Sequence, residues 1–141
     1  QKRLLELVDE DTEAYNGIIS AFELPKKTEE EKAARAAAVE AATLNASLVP
    51  LTVMKEAFKV FDLLNEMAEK GNPNSVTDGA VGVLAVRACI RGAFLNVKIN
   101  VRGLKDKARA AELITEAVEI EEAAASFETV IMKRVTEALE I

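Results

Sequence analysis

The 141 residues contain no histidine and no tryptophan, and cysteine occurs once. Without histidine the usual zinc ligand sets, the Ser-His and Cys-His nucleophile pairs and the commonest general base are all excluded. Catalysis, if present, falls to Asp, Glu, Lys, Tyr, backbone dipoles or a bound cofactor. The single Cys89 cannot form an internal disulfide, so a reducing cytoplasm is the expected compartment. Aromatic residues make up only 4%, which leaves Ala, Val, Leu and Ile to build the core. Positive charge is in deficit: 18 Lys and Arg stand against 24 Asp and Glu, a formal net charge of −6. No basic run exceeds a pair of residues, so a nucleic-acid partner is not expected. Long apolar runs are missing too. Arg87, Arg91, Asn96 and Lys98 interrupt the longest, which argues against a bilayer span and a membrane partner. No secretory signal, strand-like alternation, internal repeat or low-complexity linker is visible.

What is present is helical periodicity. Leu4, Val8, Tyr15, Ile18, Ile19 and Phe22 recur at helical spacing and predict a first helix to about Phe22, stopped at Leu24-Pro25. Thr28 and Glu31 have the spacing of a capping box before an alanine-rich helix that runs to about Leu48. Pro50 is expected to kink or break it. A third helix should span about Leu51 to Lys70, with Gly71 as its C′ residue. Ser75 and Asp78 form a second capping box that opens a helix from about Val76 to Val101, expected to be buried. Gly103 marks a further break, and a last helix runs from about Leu104 to the end. The expected fold is all-α: one domain over residues 1–141, a bundle of long helices completed by homodimerisation. Because Gln1-Lys2-Arg3-Leu4-Leu5 already reads as helix, the domain is expected to be N-terminally incomplete.

Several polar residues sit where the pattern calls for apolar ones. Asp11 falls on the face of the first helix shared by Leu4, Val8, Tyr15, Ile18 and Phe22. A buried carboxylate there is costly unless paired, and is a candidate acid or base. The alternative is that Asp11 looks into solvent or pairs with an arginine. Asp9 lies off the stripe and reads as solvated. In the central helix Asp78, Gly82, Ala85, Cys89, Gly92, Asn96 and Asn100 share one stripe, a groove of small residues with a carboxylate at one end and two amides at the other. Asp78 and Asn96 lie about 27 Å apart along the axis, so they could meet only across an antiparallel dimer or through a long ligand. Arg87, Arg91 and Lys98 line the other side: Arg87 reads as a salt-bridge partner, and Arg91 as either that or an anion contact. Asn72, Pro73 and Asn74 make a polar turn ahead of a helix N-terminus, which suits either a ligand carbonyl or anion, or a plain capped turn. Cys89 and Tyr15 read as core residues.

The segment Gly71-Asn72-Pro73-Asn74-Ser75-Val76-Thr77-Asp78, with Arg91-Gly92-Ala93 and Leu95-Asn96-Val97-Lys98-Ile99-Asn100, resembles the formiminotransferase-cyclodeaminase / methenyltetrahydrofolate cyclohydrolase family. Leu7-Val8-Asp9-Glu10-Asp11 with Ala14-Tyr15, and Leu24-Pro25-Lys26 followed by Thr28-Glu29-Glu30-Glu31-Lys32, carry the same resemblance. It implies an all-helical, dimeric domain that binds a tetrahydrofolate derivative in a cleft at the subunit interface, with no metal and no cofactor beyond that substrate. The family's glycine-rich helix, expected ahead of the region of Leu4, is absent from this sequence. The implied activity is cyclodeamination of 5-formimino-tetrahydrofolate to 5,10-methenyl-tetrahydrofolate and ammonia; hydrolysis of the methenyl bridge is the alternative. On this resemblance Asp11 and Asp78 are the expected catalytic residues. Asn72, Asn74, Ser75, Asn96 and Asn100 are expected to bind substrate, and Arg91 to meet its glutamate tail. A non-catalytic helical dimerisation module is the reading of another class.

Overall fold

The computed structural model describes residues 2–70 and 76–139. Among these, α1 spans Lys2–Glu23, α2 Glu29–Phe58, α3 Val60–Lys70, α4 Val76–Asn100 and α5 Lys107–Leu139, with a 3-10 turn at Val101–Gly103 between the last two. No strand occurs among the described residues, so the all-α expectation holds. α2 is the spine: α1 packs along one side of it, α4 along another, and α5 lies on α4 and α2.

Local sequence explains the helix ends. Thr28 Oγ1 accepts from Glu31 N–H at 3.1 Å, and the Glu31 carboxylate accepts from Thr28 N–H at 3.1 Å, completing the capping box that starts α2. Asp106 caps α5 by accepting from Arg109 N–H at 2.9 Å. Glu40, on α2, reaches across to accept from the N–H groups of Lys105 and Asp106 at 2.9 and 3.0 Å. Those donors hold its carboxyl below the usual carboxylate range.

No break occurs at Pro50. The proline lies inside α2, buried, and the helix runs eight residues past it to Phe58. Proline lacks the N–H that would bond the carbonyl four residues back, that of Ala46. The side-chain amide of Asn100 donates to that carbonyl instead, at 2.7 Å. The break comes at Lys59, whose backbone stays right-handed helical. On either side of it Phe58 and Phe61 pack with Phe127 of α5, with ring centroids 5.5–5.7 Å apart.

The core has two parts. The larger joins α2, α3, α4 and α5 around Met54, Phe61, Val83, Ile90, Val97, Leu113 and Ile131. The smaller is the α1–α2 seam of Leu7, Ala14, Ala46 and Val49. Alanine on both sides brings these two helices close with little apolar area between them. The inner face of α1 is therefore offset from the expected stripe. Leu7, Ala14 and Ala21 are buried, whereas Val8, Asp11, Tyr15 and Phe22 are exposed. α4 differs as well. One face is buried, but Val81, Leu84, Leu95 and Ile99 on the other are 47–66% exposed. Gly82 is a true close approach, since a Cβ there would meet Leu64 of α3 at 2.8 Å, while Gly92 faces open space. By length and hydropathy alone, residues 29–67 and 76–103 could cross a membrane, so the interrupting charges do not exclude a span as expected; in the bundle their inner faces carry the core.

Candidate functional site

α1 and α4 stand on either side of α2 and leave a groove between them. Its first part, about 390 Å³, is lined by Leu4, Leu7, Val8, Asp11 and Thr12 from α1, Pro50 and Val53 from α2, and Cys89, Ala93 and Asn96 from α4. The second, about 150 Å³, is lined by Asp11, Tyr15, Ile18, Ala46, Asn96 and Asn100. Asp11 and Asn96 border both, so one carboxylate and one amide stand at the junction of an apolar compartment and a polar one. The offset that leaves Asp11 uncovered follows from Leu7 and Ala14 taking the buried face of α1.

The amides differ in what they have to offer. Asn96 makes no hydrogen bond among the described residues, leaving its donor and acceptor free. Asn100 spends an N–H on Ala46, which leaves its carbonyl oxygen for a ligand and fixes its orientation. Tyr15, expected in the core, is 63% exposed at the groove. Cys89, also expected in the core, is exposed and lines the apolar compartment, where partial burial raises its thiol pKa.

Other expected site residues lie elsewhere. Asp78 is exposed in the first turn of α4, some five helical turns from Asn96, and borders neither compartment. Arg91 turns toward α5, where it pairs with Glu121 at 2.7 Å. Arg87 is buried between the same helices and holds Glu121 at 2.6 Å and Glu128 at 3.1 Å, as the salt-bridge reading expects. The guanidinium of Arg87, then that of Arg91, keeps the Glu121 carboxyl below its ordinary range. Asn72, Asn74 and Ser75 lie outside the described residues, as do Gly71, the expected C′ residue, Pro73 of the expected turn and, with Ser75, one half of the expected Ser75–Asp78 capping box.

Sequence reasoning missed Thr12, Pro50 and Val53 as groove residues. Pro50 did carry a signal: a proline inside a helix frees a carbonyl at a predictable position. Among the described residues no cluster of three or more acidic or sulfur ligands could hold a metal ion.

Residues 1–119 match the family model described as formiminotransferase-cyclodeaminase. Methenyltetrahydrofolate cyclohydrolase of Methylorubrum extorquens is 42% identical over 116 residues, which are 82% of this chain and 56% of that protein. Formimidoyltransferase-cyclodeaminase of Mus musculus is 34% identical over 104 residues, 74% of this chain and 19% of that protein. The chain thus spans about half the length of the bacterial relative and a fifth of the mouse one. The crystal structure of formiminotetrahydrofolate cyclodeaminase from Thermotoga maritima has the same fold, with a TM-score of 0.70 at 23% identity over 95% of this chain and 61% of that one.

Proposed function

The chain belongs to the formiminotransferase-cyclodeaminase family, and from that premise we propose that its groove binds a tetrahydrofolate carrying a one-carbon unit at the level of Asp11 and Asn96. The observation that carries this is that a solvent-accessible carboxylate and an unused amide both border the junction where an apolar compartment meets a polar one. A pterin has the same division, with a flat ring bearing hydrogen-bonding edges. The Asn96 amide and the Asn100 carbonyl oxygen orient those edges, while Leu4, Val8 and Val53 cover the ring.

The proposed reaction is hydrolysis of the methenyl bridge, favoured over cyclodeamination by the higher identity to a cyclohydrolase than to the transferase-cyclodeaminases. Water attacks the bridging carbon while the Asp11 carboxylate takes one of its protons. One carbon–nitrogen bond then opens, its electron pair goes to the departing nitrogen, which takes up the proton that Asp11 accepted, and release of the second proton leaves a formyl group on the other nitrogen. In the alternative, a folate nitrogen attacks the formimino carbon and Asp11, protonated, supplies the proton that leaves with ammonia. The two share the methenyl species and one proton-transfer position. Loss of methenyl absorbance without ammonia release supports hydrolysis; ammonia release from formimino-tetrahydrofolate supports the alternative. Absence of both activities, with no folate binding by calorimetry, leaves the helical dimerisation module.

The proposed assembly is a homodimer through the uncovered face of α4. Val81, Ala85, Ala88, Gly92, Leu95, Ile99 and Arg102 repeat at alternating steps of four and three, the spacing of a coiled-coil seam, and all are exposed. Antiparallel pairing about residue 90 sets Val81 against Ile99, Ala88 against Gly92 and Asp78 against Arg102 of a second copy. The concavity of Leu95, Lys98, Ile99 and Arg102, about 380 Å³, accepts the acidic N-terminal end of the partner helix. In this register Asp78 meets Arg102 rather than Asn96.

A further inference from the structure

Pro50 is buried in α2 and lines the apolar compartment of the groove. One of its effects reaches the polar compartment. A residue with an N–H at position 50 would donate it to the Ala46 carbonyl, four residues back. Proline has none to give, and the Asn100 amide nitrogen takes that acceptor at 2.7 Å. The nearby hydroxyls of α2 are spent elsewhere: Ser47 donates to the Thr43 carbonyl at 2.8 Å, and Thr52 to that of Leu48 at 2.9 Å.

The bond fixes the sense of the amide as well as its place. A backbone carbonyl can only accept, so the nitrogen of Asn100 must face Ala46, and Oδ1 is left as its unused acceptor. Turning the amide over would set oxygen against oxygen and strand the Ala46 carbonyl, a costly exchange for a part-buried pair. Both residues border the polar compartment. Asn96, one turn back on α4, borders it too but makes no hydrogen bond among the described residues, so its amide can turn to suit either a donor or an acceptor. The compartment thus holds one adaptable amide and one fixed amide.

We propose that Pro50 is a positioning residue for ligand recognition. By withholding an N–H from Ala46 it locks the Asn100 amide, and the polar compartment then presents a fixed acceptor that selects a ligand edge carrying an N–H donor over one carrying an oxygen. This rests on the folate reading of the groove, and in that ligand the donor is the 2-amino group of the pterin. Spacing supports the assignment. With the one-carbon unit at the level of Asp11 and Asn96, Asn100 lies one turn further along α4, about 6 Å. The 2-amino group stands across the two fused rings from the nitrogen that carries that unit.

The test titrates two probes calorimetrically into the full chain: 5-formyl-tetrahydrofolate and its 2-oxo counterpart, in which an oxygen replaces the 2-amino group. The unmodified chain is expected to bind the 2-amino probe about tenfold or more tightly, because the locked oxygen of Asn100 would otherwise meet another oxygen. Pro50→Ala returns an N–H to the Ala46 carbonyl, favours the helix and frees the amide to turn. The selectivity ratio should then fall severalfold, and the Asn100 side-chain amide should lose hydrogen-exchange protection by NMR. Pro50→lactate, an ester with neither ring nor N–H, should restore both. A merely structural proline would weaken both probes alike and leave the ratio unchanged. An unchanged ratio in Pro50→Ala, or equal affinity of the two probes for the unmodified chain, overturns the positioning role and leaves the folate reading in place. If neither probe binds the unmodified chain, the folate reading falls and the positioning role with it.

Discussion

At the level of single residues, the decisive question about a charged group is what covers it. Asp11 and Arg87 illustrate the two answers. Asp11 stands in an apolar pattern, but the offset of α1 leaves it exposed to the groove, where a ligand rather than a protein partner completes its surroundings. Asp11→Asn keeps the shape and removes the proton acceptor. Turnover should fall by about 100-fold or more, the usual scale for losing a general acid or base, with probe binding changed far less; rate and calorimetric measurements on the same sample check both. Arg87 is buried against two glutamates, and its Nη1 is buried without a protein partner. Arg87→Met strands the glutamates and should cost about 3 kcal/mol or more by chemical denaturation. The pH dependence follows from the lowered pKa of Glu121. Its contribution is complete above the ordinary carboxylate value of 4.5 and is lost as pH falls through the lower folded-state value. The unmodified chain should thus lose stability on acidification below about pH 4.5 more steeply than Arg87→Met does.

At the level of elements, α2 shows how a helix passes a proline. The sequence predicts a kink or break at Pro50 because a missing N–H and a ring clash disfavour the helix locally. The tertiary structure supplies two compensations, burial of Pro50 itself and the Asn100 amide on the freed Ala46 carbonyl. Asn100→Ala leaves that carbonyl without its donor and should cost about 1–3 kcal/mol. Adding Pro50→Ala restores an N–H to bond Ala46 within the helix, so the double variant should regain most of the loss. Additive losses in the thermodynamic cycle would refute the coupling. The start of α2 needed no tertiary knowledge: the Thr28–Glu31 box forms as its spacing requires, and Thr28→Ala should cost about 1 kcal/mol in thermal or denaturant unfolding.

At the level of the whole molecule, the uncovered apolar face of α4 and the groove between α1 and α4 are products of how five helices share one spine. Periodicity identified helices well because the helix repeat is local. It misjudged which faces are buried, since alanine-rich sequences have several faces of similar hydrophobicity. On α1 the small residues Ala14 and Ala21 won the buried side over Val8, Tyr15 and Phe22, because alanine lets helix backbones approach closely. If α4 pairs with a second copy, light scattering should give twice the chain mass, and Gly92→Glu should give the monomer. Asp78→Arg and Arg102→Asp should each weaken association, and together in one chain they should restore it.

The sequence by itself determined the helical class, the capped start of α2, the exclusion of histidine chemistry and the family resemblance. Each depends on residue type and on spacing within about one or two turns. Only the tertiary structure decided that Asp11 and Asn96 border one groove while Asp78 stands apart, that Asn100 repairs the helix at Pro50 and that Arg91 pairs with Glu121 of α5. Those outcomes depend on how the helices are rotated and offset against one another. That is set by packing of small side chains across the whole bundle, which a one-dimensional repeat does not contain.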